Sequence, residues 1–144
     1  MRDLISNLGA KIAIPAASYD ADNTPPAIDL RGFDSAAFLI HVGVGGITFT
    51  GTNKVEFKLT HADSEAGAYT AVTAADVQGV ASVGAGGIVK TLNAAHASPS
   101  LTKVGYVGGK PFAKLLADFS GTHGAATPIG VTVALAHPRN APVA

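Results

Sequence analysis

The sequence predicts an all-β protein: an antiparallel β-sandwich or jelly-roll-like barrel of about eight strands. Three observations lead there. Apolar residues repeat with a period of two in several segments, most cleanly at Val55, Phe57 and Leu59 against Lys54, Glu56, Lys58 and Thr60. Glycine, proline and Asx turn signals interrupt the chain at short intervals, with 17 glycines and 8 prolines in 144 residues. No long segment carries a helical period, which argues against alternating α/β winding.

The elements follow in order. Residues 2–9 place Leu4, Ile5 and Leu8 on one side, but a helix this short is marginal in water, so residues 1–10 are expected to form an N-terminal arm. Ile12 and Ile14 alternate with smaller or charged neighbours up to Pro15, as in a short edge strand. A loop runs through 16–26 and closes on Pro25-Pro26. Ile28 and Leu30 begin a second strand, and Gly32 with Asp34 marks a turn. Ala36, Phe38, Ile40, Val42 and Val44 then form one apolar face, opposite Ala37, Leu39, His41 and Gly43.

The Lys54–His61 strand is followed by an acidic turn and a short return strand at 69–72, which reads as a hairpin. Residues 74–79 suggest a single helical turn, and 79–87 a mobile Gly/Ala/Ser stretch. Ile88 to Leu92 is a modest strand. Lys103–Val107 and Phe112–Phe119 are expected to pair across Gly108-Gly109 as a tight hairpin. The last strand sets Ile129, Val131, Val133, Leu135 and His137 on one face and Gly130, Thr132, Ala134 and Ala136 on the other. The expected core is Phe38, Ile40, Val42, Val55, Phe57, Leu59, Val131, Val133 and Leu135.

The length suits one domain spanning residues 1–144, large enough to bury a core without staples. Hydrophobic residues make up 47% and charged residues 14%, so small and neutral residues must cover much of the surface. Such a surface is poorly protected against association and hints at a covering partner. Ten basic and ten acidic residues cancel, which leaves no electrostatic footprint for nucleic acid or an anionic membrane. No stretch approaches the roughly 20 apolar residues of a membrane helix, and the start lacks the apolar run of a signal peptide. The chain has no cysteine, which removes disulfides, thiolate metal sites and cysteine nucleophiles and fits assembly in a reducing cytoplasm.

No motif carries chemistry. His41, His61 and His137 fall on strands and His96 and His123 in loops, without the short spacing by which two imidazoles reach one ion. Asp20-Ala-Asp22-Asn23 starts like a calcium loop but lacks the turn glycine and closing glutamate, and reads as Asx turns. Asp63 and Glu65 have no aromatic sugar platform beside them and read as solvated turn acids. The Gly-rich runs at 43–46 and 84–87 lack the strand–loop–helix setting of a phosphate site, and Pro111 denies it to the run at 105–110. The expectation is no enzyme, no cofactor and no metal.

Several segments, taken in order along most of the chain, carry a resemblance. They are Asp29-Leu-Arg-Gly-Phe-Asp-Ser-Ala36, Phe57-Lys-Leu-Thr-His-Ala-Asp-Ser64, Tyr69-Thr-Ala-Val72 with Asp76-Val-Gln-Gly79, Val104-Gly-Tyr-Val-Gly-Gly-Lys110, and Ala136-His-Pro-Arg-Asn-Ala-Pro-Val143. Together the chain resembles small structural virion proteins of tailed bacteriophages and prophages. The resemblance implies a capsid decoration (cement) protein, made in the host cytoplasm and seated on the outer surface of the icosahedral head. Its partners would be the major capsid protein and copies of itself, commonly as a trimer. It implies no catalytic residue. A tail or head–tail connector component is the alternative within the particle. A carbohydrate-binding sandwich is the alternative outside it, disfavoured by the absence of tryptophan.

Nine residues are expected at partner interfaces. Leu4, Ile5 and Leu8 form the apolar side of the arm. Thr132, Ala134 and Ala136 form the smooth face of the last strand. Pro138, Arg139 and Pro142 lie in a tail, 138–144, that the prolines hold extended. Arm and tail are expected to be ordered by a neighbour rather than by their own domain.

Overall fold

Alternation of buried and more exposed side chains runs through most of the long strands, which sort into two antiparallel sheets. The structure, a computed structural model, describes residues 3–143; the first two positions of the expected arm and the last of the tail lie outside the described residues. The strands are β1 (Leu8–Tyr19), β2 (Ile28–Asp29), β3 (Phe33–Val42), β4 (Lys54–Ala62), β5 (Thr70–Ala71), β6 (Val77–Gln78), β7 (Ile88–Leu92), β8 (Ser100–Tyr106), β9 (Phe112–Ser120) and β10 (Thr127–Pro138). Among the described residues there is no α-helix, only a 3-10 turn at Ile5–Asn7.

Sheet I has the order β1-β10-β3-β8-β6, and sheet II the order β2-β9-β4-β5, with β7 also paired to β4. Neither sheet closes on itself, so the fold is an open sandwich and not a barrel. The inward residues of both sheets form one core. Phe38, Ile40, Val42, Val131, Val133 and Leu135 of sheet I meet Val55, Phe57, Leu59 and Leu115 of sheet II, each at most 1% exposed. The core expected from the period of two is therefore the core observed.

The differences are local. β1 continues through Pro15 to Tyr19, because Pro15 lies on an edge strand where its missing N–H costs no ladder bond. Its register against β10 shifts between Ile12 and Ile14 and again before Ala17. Leu8, Gly9 and Ala10 thus belong to the sheet and not to an arm. The tail is also tied to its own chain. Pro138 ends β10 opposite Phe33. The Arg139 amide donates to Gly32 O at 2.9 Å, and the Val143 amide donates to Ser6 O at 3.0 Å. The ends are pinned to each other without a neighbour.

The hairpin expected across Gly108-Gly109 does not form. β8 pairs with β3 and β6 in sheet I, whereas β9 pairs with β4 and β2 in sheet II. The link is an arch between the sheets, and neither glycine adopts positive φ. The Val107 and Gly108 amides donate to Asp76 O at 2.8 and 3.1 Å. The Tyr106 hydroxyl accepts from the Lys110 amide at 3.1 Å and lies 2.9 Å from His61 Nδ1. These bonds turn the chain before it can fold back on β8.

The stretch 79–87 is largely exposed but rests Val80 and Val83 on the core and is bonded at its end. The Leu59 amide donates to Gly87 O at 2.9 Å. Gly87 sits at φ 82°, where a Cβ would lie 2.3 Å from Leu59 O. The helical turn expected at 74–79 is a turn closed by Asp76 on Thr73, then β6. His137, assigned to the core face, is exposed. Its left-handed φ of 54° breaks the alternation, and its Nδ1 lies 2.6 Å from Ser35 Oγ.

Candidate interaction face

The outward side of sheet I can be read row by row from the strand register. One row runs Ile12, Thr132, Leu39, Lys103 across β1, β10, β3 and β8. The next runs Ala10, Ala134, Ala37, Gly105. Beyond it lie Leu8, Ala136 and Ser35, with Val107 just past the end of β8. On the other side of the first row lie Gly130, His41 and Leu101. Ala16 stands over Gly130, where a Cβ on the glycine would come within 3.2 Å of it.

This face carries little charge. Its rows hold no carboxylate and one lysine, Lys103. Ile12 is 64% exposed, Leu101 62% and Val107 52%. Gly130 and Thr132 floor a hollow of about 470 Å³ walled by Ile12, Leu39, His41 and Leu101. Isolated surface leucines are ordinary, whereas a contiguous patch of this kind makes the face a candidate interaction surface.

The outward side of sheet II is built differently. Lys54, Glu56 and Lys58 of β4 stand beside Asp118 and Lys114 of β9. Lys58 bonds Asp118 and lies 3.9 Å from Glu56, which also binds Lys54. Lys114 Nζ sits 4.1 Å from the centre of the Tyr69 ring. The hydrogen bond to Asp118 holds the Lys58 ammonium above the ordinary lysine value, against the opposing effect of burial.

Of the nine expected interface residues, four gather on the sheet I face: Leu8, Thr132, Ala134 and Ala136. The other five collect at one end of the sandwich. Leu4 and Ile5 are 63% and 77% exposed there. Arg139 Nε donates to Asp34 Oδ1 at 2.9 Å, with both side chains largely in solvent. Pro138 and Pro142 flank it in the pinned tail. A second hollow, about 330 Å³, opens at this end between Phe33, Tyr106, Val107 and Lys110. Its cations are already paired: Arg31 with Asp29, Lys110 with Asp63, Arg139 with Asp34. The Arg31 hydrogen bond holds the Asp29 carboxyl down to about 2.

The sequence reading missed Ile12, Ala37, Leu39 and Leu101 as face residues. Each lies on the outward side of its own strand, but only the strand order brings them together. The five histidines do not form one cluster, although His96 and His123 both pack against Phe49. His61 is buried against Tyr106, His96 stacks on Phe49 with its Nε2 2.9 Å from Gly43 O, and His123 packs edge-on to Phe119. Among the described residues no group of three histidines and carboxylates is placed to hold a metal ion.

Asp22 and Asn23 do not form the expected Asx turns. Asp22 accepts from the Phe119 amide and Asn23 from the Ala117 amide, both at 2.7 Å. They cap the edge of β9 that the two-residue β2 leaves open.

No protein-family model, curated protein or solved structure matches the chain.

Proposed function

We propose that this chain is a non-catalytic structural subunit of a virion, a capsid decoration protein that binds the head of a tailed phage and reinforces it as a homo-oligomer. The observation that carries the structural reading is the outward face of sheet I, with its exposed Ile12 and Leu101, its hollow over Gly130 and its lack of any carboxylate. A face of this composition is unfavourable in water and gains from being covered, at roughly 25 cal/mol for each Å² of apolar surface removed. The assignment of that role to a phage head rests on the resemblance of the sequence segments at 29–36, 57–64, 104–110 and 136–143.

The test is quantitative mass spectrometry of particles induced and purified from a cell whose genome encodes the chain. The expected result is the protein in fixed ratio to the major capsid protein, retained on empty heads separated from tails. Its absence from heads overturns the decoration reading. Its presence on tails alone replaces that reading with a tail or connector component.

A further inference from the structure

The register of sheet I also says what covers the face, if the structural reading above is taken as given. The geometry points to a second copy of this chain, docked face to face about a two-fold axis that runs across the strands. The axis lies between the Ile12–Thr132–Leu39–Lys103 row and the Ala10–Ala134–Ala37–Gly105 row. The first row is a ridge and the second a trough of methyl groups and one glycine.

Rotation about that axis places each ridge on the other copy's trough. Ile12 lies over Ala10, Thr132 over Ala134, Leu39 over Ala37 and Lys103 over Gly105, and each pairing occurs twice, as an isologous interface requires. The outer rows match in the same operation. Leu8 of one copy enters the hollow over Gly130 and Ala16 of the other, and the exposed Leu101 meets the exposed Val107. His41 comes to Ser35, polar against polar.

Charge agrees with this arrangement. A face without carboxylates offers nothing to a basic partner, and its lone cation, Lys103, lies toward the edge strand β6, where its ammonium stays in water. Area bears on its strength. Four strands about 4.8 Å apart and seven residues of about 3.3 Å each give roughly 440 Å² per copy. The total of about 900 Å² lies just under the roughly 1,000 Å² of a stable specific interface, in the range of a weak, transient association. The association is therefore two-fold, in place of the three-fold one that the resemblance implies, and weak.

Exchange of ridge and trough on one strand tests the register. Ala37→Leu puts leucine against Leu39 of the second copy and should weaken self-association about tenfold or more, the equivalent of about 1.4 kcal/mol. Adding Leu39→Ala restores the fit and should restore association. Sedimentation equilibrium of the full chain, from low to high micromolar concentration, reads both, with near-ultraviolet circular dichroism to confirm the fold. Should the β3 variants fail to fold, Ala10→Ile with and without Ile12→Ala makes the same exchange on the edge strand. A wild-type chain that stays monomeric overturns the proposal, as does a dimer indifferent to the single exchange or one that the second substitution fails to rescue. A monomer bound to heads overturns the dimer and leaves the decoration reading standing. A dimer absent from heads does the reverse.

Discussion

The two outward faces of this sandwich rest on the same core yet obey different rules. On sheet II, Lys54, Glu56, Lys58 and Asp118 alternate in sign across β4 and β9, as on a sheet that meets water. On sheet I the equivalent positions are mostly alanine, glycine, threonine, leucine and isoleucine, with Ser35, His41 and Lys103 the other polar residues. Folding explains the inward sides of both, because each needs an apolar surface to close on the other. It explains the sheet II exterior too. It does not explain why Ile12 and Leu101 are 64% and 62% exposed on the sheet I side. An uncovered apolar exterior adds nothing to the fold and invites association, so its presence points to a covering surface.

The comparison can be broken at several strengths. The largest effect belongs to the core that both faces share. Phe57 and Phe38 are fully buried, and truncating either to alanine should cost about 3–5 kcal/mol in urea unfolding. A loss below about 1 kcal/mol would mean that the sheets are not packed on each other as described. Next comes Ile12→Asp on the sheet I exterior. It should leave stability within about 0.5 kcal/mol, as surface substitutions do, while abolishing association. A large loss of stability in the monomer would show the face to be part of the fold rather than a docking surface.

Lys58→Met on sheet II should do the opposite. Loss of the contacts to Asp118 and Glu56 costs about 1 kcal/mol or less, and association is unchanged.

The smallest effects are in pH. Lys58 and Tyr106 both titrate above their ordinary values, the lysine through its hydrogen bond to Asp118 and the tyrosine through burial. Their contribution is whole below the unfolded values of 10.5 and 10.0 and drains away as pH rises through the folded ones. Urea midpoints should therefore fall in alkali, and less so in Lys58→Met. Asp29 acts at the other end. Its contribution is present above 3.8 and is lost as pH falls toward about 2. Asp29→Asn should flatten the acid limb of the same curve and leave the alkaline limb alone.

The inward faces were legible in the sequence because a period of two states burial strand by strand. Phe38, Ile40 and Val42 need no knowledge of their neighbours to be placed inside. The sheet I exterior was legible only as a fragment, the small-residue side of β10. Its ridge draws on β1, β3 and β8, which lie 27 to 91 residues apart at Ile12, Leu39 and Lys103, and strand order is not written in any one strand's pattern. Ala37 and Leu39 already stood opposite the β3 core residues, so half the signal was present. The arch at 107–111 failed for the same reason. Gly108-Gly109 looks like a hairpin turn locally, but the hydrogen bonds that redirect the chain come from Asp76 and from the Tyr106 hydroxyl. His137 escaped because its left-handed backbone breaks the period at the last step. The pinned termini depend on a bond between Ser6 and Val143, which no local pattern announces.

The central claim is that the sheet I exterior is covered in the working protein while the sheet II exterior is not. Hydroxyl-radical footprinting with mass spectrometry measures this in one experiment, on the chain at low and at high concentration. Leu39 and Leu116 are the matched pair, each half-buried on the outward side of its sheet. The account predicts that oxidation of Ile12, Leu39 and Leu101 falls several-fold on concentration while that of Leu116 and Tyr69 is unchanged. Equal oxidation of Leu39 at both concentrations, or protection of Leu116 in its place, would contradict it.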